Sequence, residues 1–192
     1  MRTTEFKDTE LGPIPKDWEV KRVGEVATRI GVGLATSVTQ YYRNEGTVLF
    51  RNLNIKPGQL DDQDVLYLDD VFAKSQPGKL IHEGDVLSVH TGYVGISCVV
   101  PKKYDGALTF TTLITTPSRD SLLSEYMVVY MNSDLGVAEV ESLQSSGGRS
   151  NLNVAEFERL RVVLPPLPEQ RRIAAALGDV DKLIENLKKR VE

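Results

Sequence analysis

Between residues 48 and 114 the apolar positions fall in short runs rich in β-branched residues: Val48–Ile55, Val65–Leu68, Val86–His90, Val94–Val100 and Leu108–Ile114. Each is bounded by Gly, Pro or Asp, a pattern that predicts strands. From residue 121 the spacing lengthens, predicting helices at Ser121–Asn132 and Leu135–Leu143. Asn153, with Glu156 three residues on, reads as a helix N-cap with its reciprocal partner. Arg159–Leu164 reads as a last strand. Upstream, residues 12–18 form an extended entry that plants Trp18 on the body, and Val20–Arg29 suits a short strand or helix. Gly31-Val32-Gly33 then opens a polar loop that reaches Tyr41-Tyr42-Arg43-Asn44. Strands followed by helices predict an α+β fold: a mixed-sheet globular domain over residues 1–164 with a protruding coiled-coil-type helix over 165–192.

That last helix has the clearest pattern. Prolines 165, 166 and 168 stiffen the approach, and Pro168 is tolerated in a first helical turn. Glu169 lies near the positive end of the helix dipole, and Lys188, Lys189 and Arg190 near the negative end. Apolar residues recur at Ile173, Leu177, Val180, Ile184, Leu187 and Val191. This seam of two positions per heptad suits a partner helix better than the broader stripe of a helix lying on its own core. The competing expectation is that the helix folds back onto its domain, using Ala174, Ala175 and Ala176 for close packing. The seam still runs at the last residues, which favours a fragment or a truncated subunit.

Composition narrows the chemistry. The chain has 192 residues, 41% hydrophobic and 26% charged, as expected of a globular domain with a real core. No apolar run approaches a membrane span of about 18 residues, and the first residues lack a signal-peptide core. The single cysteine, Cys98, lies in an apolar run and reads as a buried, reduced thiol, so a cytoplasmic location is expected. One Cys and two His argue against a Cys/His metal site. The net charge of −4 argues against nucleic acid. It is unevenly spread, however: residues 61–70 hold five Asp and no base, residues 121–164 have three bases against six acids, and the rest is net basic.

No phosphate-binding loop or dinucleotide motif is present, so no nucleotide cofactor is expected. His90 beside Thr91 and near Ser88 has no local acid to orient it, and a hydrogen-bonding role outweighs a catalytic one. The Asp-rich block lacks the spacing of a calcium loop and reads as a solvated acidic loop. No catalytic residue is expected, nor catalysis by this chain alone.

Six segments, in order, resemble one family. They are L-G-P-I-P-K-D-W-E-V-K-R-V-G-E-V at 11–26, L-F-R-N-L-N-I at 49–55, K-L-I-H-E-G-D-V-L-S-V at 79–89, T-G-Y-V-G at 91–95, S-G-G-R-S-N-L-N at 146–153 and L-P-P-L-P-E-Q-R-R-I-A at 164–174. The chain resembles one half of a type I restriction–modification specificity subunit. The resemblance implies a target recognition domain that reads half of a split sequence in double-stranded DNA, followed by a spacer helix. It further implies partners: methyltransferase subunits, restriction subunits reached through the complex, and a second copy or second half meeting the helix. Adenine methyltransferases of such systems carry an N/D-P-P-Y/F-type loop, whereas the Pro-Pro pair here is flanked by Leu164 and Leu167.

Recognition residues in that family vary with the target, so side-chain chemistry must choose candidates. Phosphates are anchored by Arg, Lys and hydroxyls; guanine edges are read by Arg and adenine edges by Asn or Gln. Three clusters combine these types: Arg29 with Gln40, Tyr41, Tyr42 and Arg43; His90, Thr91 and Tyr93; and Arg149, Ser150 and Asn151. Arg51 is a further candidate, read as lying in a strand with Asn52. Tyr41-Tyr42 could equally be half-buried packing, and residues 147–153 a turn and helix cap. The competing function is a scaffold that oligomerises through the helix without DNA.

Overall fold

The computed structural model describes residues 5–145 and 151–191. In chain order the first strands are β1 (Phe6–Thr9), β2 (Gly12–Pro15) and β3 (Glu19–Arg22), then helix α1 (Val23–Val26) and β4 (Ala27–Val32). Next come β5 (Tyr42–Arg43), β6 (Thr47–Phe50), β7 (Ile55–Lys56), β8 (Gln59–Leu60), β9 (Leu66–Leu68) and helix α2 (Asp70–Lys74). Then follow β10 (Val86–Val89), β11 (Ser97–Val99), β12 (Leu108–Thr109) and β13 (Thr112–Pro117). The chain closes with α3 (Ser124–Met131), α4 (Asp134–Ser145), α5 (Val154–Arg159), β14 (Arg161–Leu164) and α6 (Leu167–Val191).

Two four-stranded sheets form the body. The first, in the order β11-β10-β13-β4, is antiparallel throughout. The second, β12-β6-β9-β5, is mixed, because β12 runs parallel to β6. Strands β10, β11 and β13 of the first sheet are buried on both faces, whereas its edge strand β4 is partly exposed. Leu87, Cys98 and Ile114 share one face with Phe50, Ile55 and Ile81, while Val86 and Leu113 join Tyr126, Met127 and Met131 of α3 on the other. The serines paired in this sheet are buried and satisfied: Ser88 and Ser97 hydroxyls lie 2.7 Å apart, and Asn132 clasps the Ser97 backbone on both sides.

The α+β class with mixed sheets is as the residue pattern predicts, with several local corrections. Val48–Ile55 is not one strand. After β6 the chain makes a 3-10 turn at Asn52–Asn54, locked by the Asn54 side chain, which accepts from the Arg51 N–H at 2.9 Å. Arg51 therefore lies outside a strand. Leu108–Ile114 breaks into β12 and β13 at Thr111, which has φ of +50°. Val94–Val100 keeps only β11, since Gly95 at φ of +93° bends the preceding residues into a loop. Val20–Arg29 holds two strands and a helical turn.

The acidic block is a set of partners, and not merely a solvated loop. Asp69 caps α2 by accepting from the Val71 and Phe72 amides, Asp70 accepts from the Thr47 hydroxyl, and Asp62 pairs with Lys103 at 2.7 Å. The predicted Asn153 cap is present with its reciprocal Glu156 bond.

Helix α6 is anchored at its start. Gln170 is buried, its amide donating to Ser121 O and Pro165 O and its oxygen accepting from the Leu123 N–H. Trp18 packs against the core, so the entry segment does plant it on the body, and its Nε1 donates to Glu169 of α6 at 3.0 Å. Ile173 and Ala174 pack against the core beneath.

Candidate functional site

The first sheet ends where β4 and β10 finish and β11 and β13 begin. There the loops 33–37, 90–96 and 110–111 emerge side by side, since Val32 pairs with Leu113 and Val89 with Thr112. Gly33 allows the closest approach: a side chain there would lie 2.2 Å from Thr109 O. The Asn52 turn joins from the second sheet, its Oδ1 accepting from the Thr112 hydroxyl at 3.1 Å. Asn151 joins from the segment before α5, bridging to Thr91, while the Leu152 N–H donates to His90 O at 3.1 Å. Two segments separated by some sixty residues thus meet in one loop face.

This face carries His90, Thr91, Tyr93 and Asn151 of the sequence-derived candidates. Tyr93 is 86% exposed at the tip of its loop. His90 is half-buried, its Nδ1 lies 3.0 Å from the Thr91 hydroxyl, and burial pulls its pKa below the ordinary imidazole value. Burial therefore favours the neutral imidazole. Loops 33–37, 90–96 and 110–111 hold no acidic or basic side chain besides His90, and the Lys79 ammonium borders them, donating to Val32 O at 2.8 Å. The groups of the loops are hydroxyls, amides and an imidazole, which suit hydrogen bonding to uncharged polar edges.

The arginines go elsewhere. Arg29 in β4 donates to Leu80 O at 2.8 Å and Gly78 O at 3.2 Å and lies 3.8 Å from the buried Asp85 carboxylate. Arg43 in β5 donates to Gln40 O and Tyr42 O and pairs with Asp69 at 3.1 Å, holding together the edge of the second sheet. Arg51 donates to Asp64 O at 2.5 Å, and its buried Nε has no hydrogen-bond partner among the described residues. Tyr41 stacks on Phe72 with ring centroids 3.8 Å apart, the packing alternative, whereas Tyr42 and Gln40 are exposed. Arg149 and Ser150 lie outside the described residues.

Residue reasoning passed over Thr111 at the centre of this face. Its left-handed backbone leaves no signal in a run of β-branched residues.

On α6, Ile173 is half-buried, whereas Leu177, Val180, Ile184 and Leu187 are each about half exposed, together with Leu183. The backbone of Val191 continues the helix. A groove of about 480 Å³ opens between α3 and the start of this row, lined in part by Pro57, Val99, Val128, Ala174 and Leu177. Among the described residues no group of His, Cys, Asp and Glu is placed to hold a metal ion, and no helix is long and apolar enough to cross a membrane.

The body thus gathers hydrogen-bonding loops at one sheet end and carries a long helix whose apolar row is half exposed. The chain belongs to the family of the type I restriction modification DNA specificity domain, whose model matches residues 15–192. It is similar to the type I restriction enzyme MjaIX specificity subunit of Methanocaldococcus jannaschii, 25% identical over 199 residues, covering 98% of this chain and 44% of that protein. It is also similar to the EcoKI specificity subunit of Escherichia coli, 24% identical over 186 residues, covering 94% of this chain and 40% of the relative. The crystal structure of the HsdS subunit from Thermoanaerobacter tengcongensis shares the fold, with a TM-score of 0.68 at 22% identity over 96% of this chain and 42% of that one. The chain spans less than half the length of these relatives.

Proposed function

We propose that this chain is the sequence-reading component of a type I restriction–modification complex and recognises one half of a bipartite target in double-stranded DNA. The hydrogen-bonding loop face carries the proposal. Base edges present donors and acceptors without net charge, and His90, Thr91, Asn52 and Asn151 match them in kind, with Tyr93 beside them. Arg29, Arg43 and Arg51 are engaged with protein partners, so they position loops in this reading. Gln40 and Tyr42 remain exposed candidates at the edge of the second sheet, and Arg149 and Ser150 remain candidates beside Asn151.

In this reading residues 1–164 are the recognition domain and 165–192 the spacer. The helix pairs with the second half of the subunit or a second copy, and the assembly docks methyltransferase subunits and, through them, restriction subunits. The half-exposed row from Leu177 to Leu187 supports the pairing, because it is continuous with the groove beside α3. Modification and cleavage belong to those partners.

Selection from a randomised duplex pool by the chain assembled with its methyltransferase subunits tests the reading. One half of a split site should be enriched, and His90→Ala or Asn151→Ala should relax preference at individual base pairs. An assembled complex that enriches no sequence would leave the scaffold reading in its place.

A further inference from the structure

The link between β12 and β13 holds a conformation ill suited to its residue. Thr111 has φ of +50°, a left-handed backbone that β-branched residues rarely adopt and glycine adopts freely. Neighbours enforce it from several sides. The Phe110 N–H donates to Phe50 O and the Thr111 N–H to Leu34 O, both at 2.8 Å. Thr112 O accepts from the Gly33 N–H at 2.9 Å, and the Thr112 hydroxyl donates to Asn52.

All these bonds use backbone groups or the side chain of Thr112, and a glycine at 111 would keep every one. The turn therefore explains the conformation but not the threonine. Its position supplies the missing reason. Strands β10 and β13 pair as far as Val89 and Thr112, so His90 and Thr111 are the next positions beyond the ladder. On the other side of β13, β4 runs on into Gly33 and Leu34. Thr111 stands at the middle of the loop face and is only half-buried.

We infer that Thr111 is a specificity-determining residue whose side chain meets a base pair of duplex DNA, held in place by the strained backbone. The inference rests on the DNA-reading function proposed above. A threonine offers a hydroxyl that donates or accepts at a base edge and a methyl that packs on the thymine methyl. Because neighbouring hydrogen bonds hold its backbone, little further ordering is needed on binding. Strained conformations of this kind gather where binding uses them.

Thr111→Gly and Thr111→Ala, made in the full chain assembled with its methyltransferase subunits, separate strain from side chain. Thermal melting and selection from a randomised duplex pool are the two readouts. Thr111→Gly should melt above the parent, because glycine relieves the backbone, yet lose about fivefold discrimination at one base pair, the worth of one hydrogen bond. Thr111→Ala should show the same loss without that rise, since alanine keeps the unfavourable φ. Binding to unrelated duplex should be unchanged in both. A parental selection profile in both variants, or a lower melting point for Thr111→Gly, overturns the inference. A parent complex that selects no sequence overturns the proposed function instead, and this inference with it.

Discussion

Arg29, Arg43 and Arg51 are chemically equivalent in a list of residues, but the fold gives each a different task. Arg29 ties β4 to the carbonyls at Gly78 and Leu80, Arg43 ties the 3-10 turn at Thr39–Tyr41 to Asp69, and Arg51 reaches Asp64. Removing Arg43 should loosen the turn that presents Gln40. Arg43→Ala should therefore weaken DNA binding by a similar factor on every sequence. Loss at a single base pair would instead identify a direct base contact. His90 has a measurable signature of its own. Burial lowers its pKa from 6.5, so below that value the unfolded chain takes up the proton first. Its contribution to stability is complete above 6.5 and is lost as pH falls through the lower folded value. His90→Gln should flatten the melting temperature against pH in that acidic window, while an unaltered profile would show that other groups dominate it. Cys98 behaves oppositely to a reactive thiol: it is buried, and burial pushes its pKa up to about 12. Thiol reagents should modify it only on unfolding.

At the scale of elements, two helices near the end of the chain rest on different physics. The six residues of α5 are too few to be stable alone. They depend on buried Phe157 and on the Asn153–Glu156 capping box, and Asn153→Ala should cost about 1 kcal/mol in chemical denaturation. Helix α6, roughly 37 Å long, is held by its first two turns through Gln170, Ile173 and Ala174. Beyond them, Leu177, Val180, Leu183, Ile184 and Leu187 remain half exposed. Replacing Ile184 and Leu187 with Asp should abolish association through the helix in sedimentation experiments while leaving the melting of the body unchanged, because neither residue belongs to the core. An unchanged mass would separate assembly from this row, and loss of the folded body would make the row part of the domain. The predicted seam missed Leu183, which broadens the exposed row beyond a strict two-in-seven pattern.

For the whole molecule, charge is unevenly spread along the chain. The net charge is −4 and loops 33–37, 90–96 and 110–111 hold no acidic or basic side chain besides His90. In the proposed reading, attraction to phosphates therefore comes from cations beside those loops, such as Lys79 at Val32 or Arg149 near Asn151 in the chain, or from partner subunits. Affinity of the assembled complex should still fall steeply with salt, as phosphate contacts require, and flat affinity would remove DNA from the account. The residue pattern by itself determined the class of fold, the strand-then-helix order, the α5 cap and the amphipathic last helix. Each depends on neighbours within a few positions along the chain, where periodicity and capping act. It also carried the ordered segments by which the family resemblance was recognised. Tertiary structure alone decided which polar residues meet. The Thr91–Asn151 bridge and the Thr112–Asn52 hydrogen bond join positions about sixty apart, and strand register sets both. Register likewise pulled the arginines away to backbone carbonyls and carboxylates. It bent Thr111 into a left-handed turn because the chain must leave the second sheet to enter the first. No local pattern records such a constraint, because the atoms that impose it come from Leu34, Phe50 and Asn52, far from Thr111 in the chain.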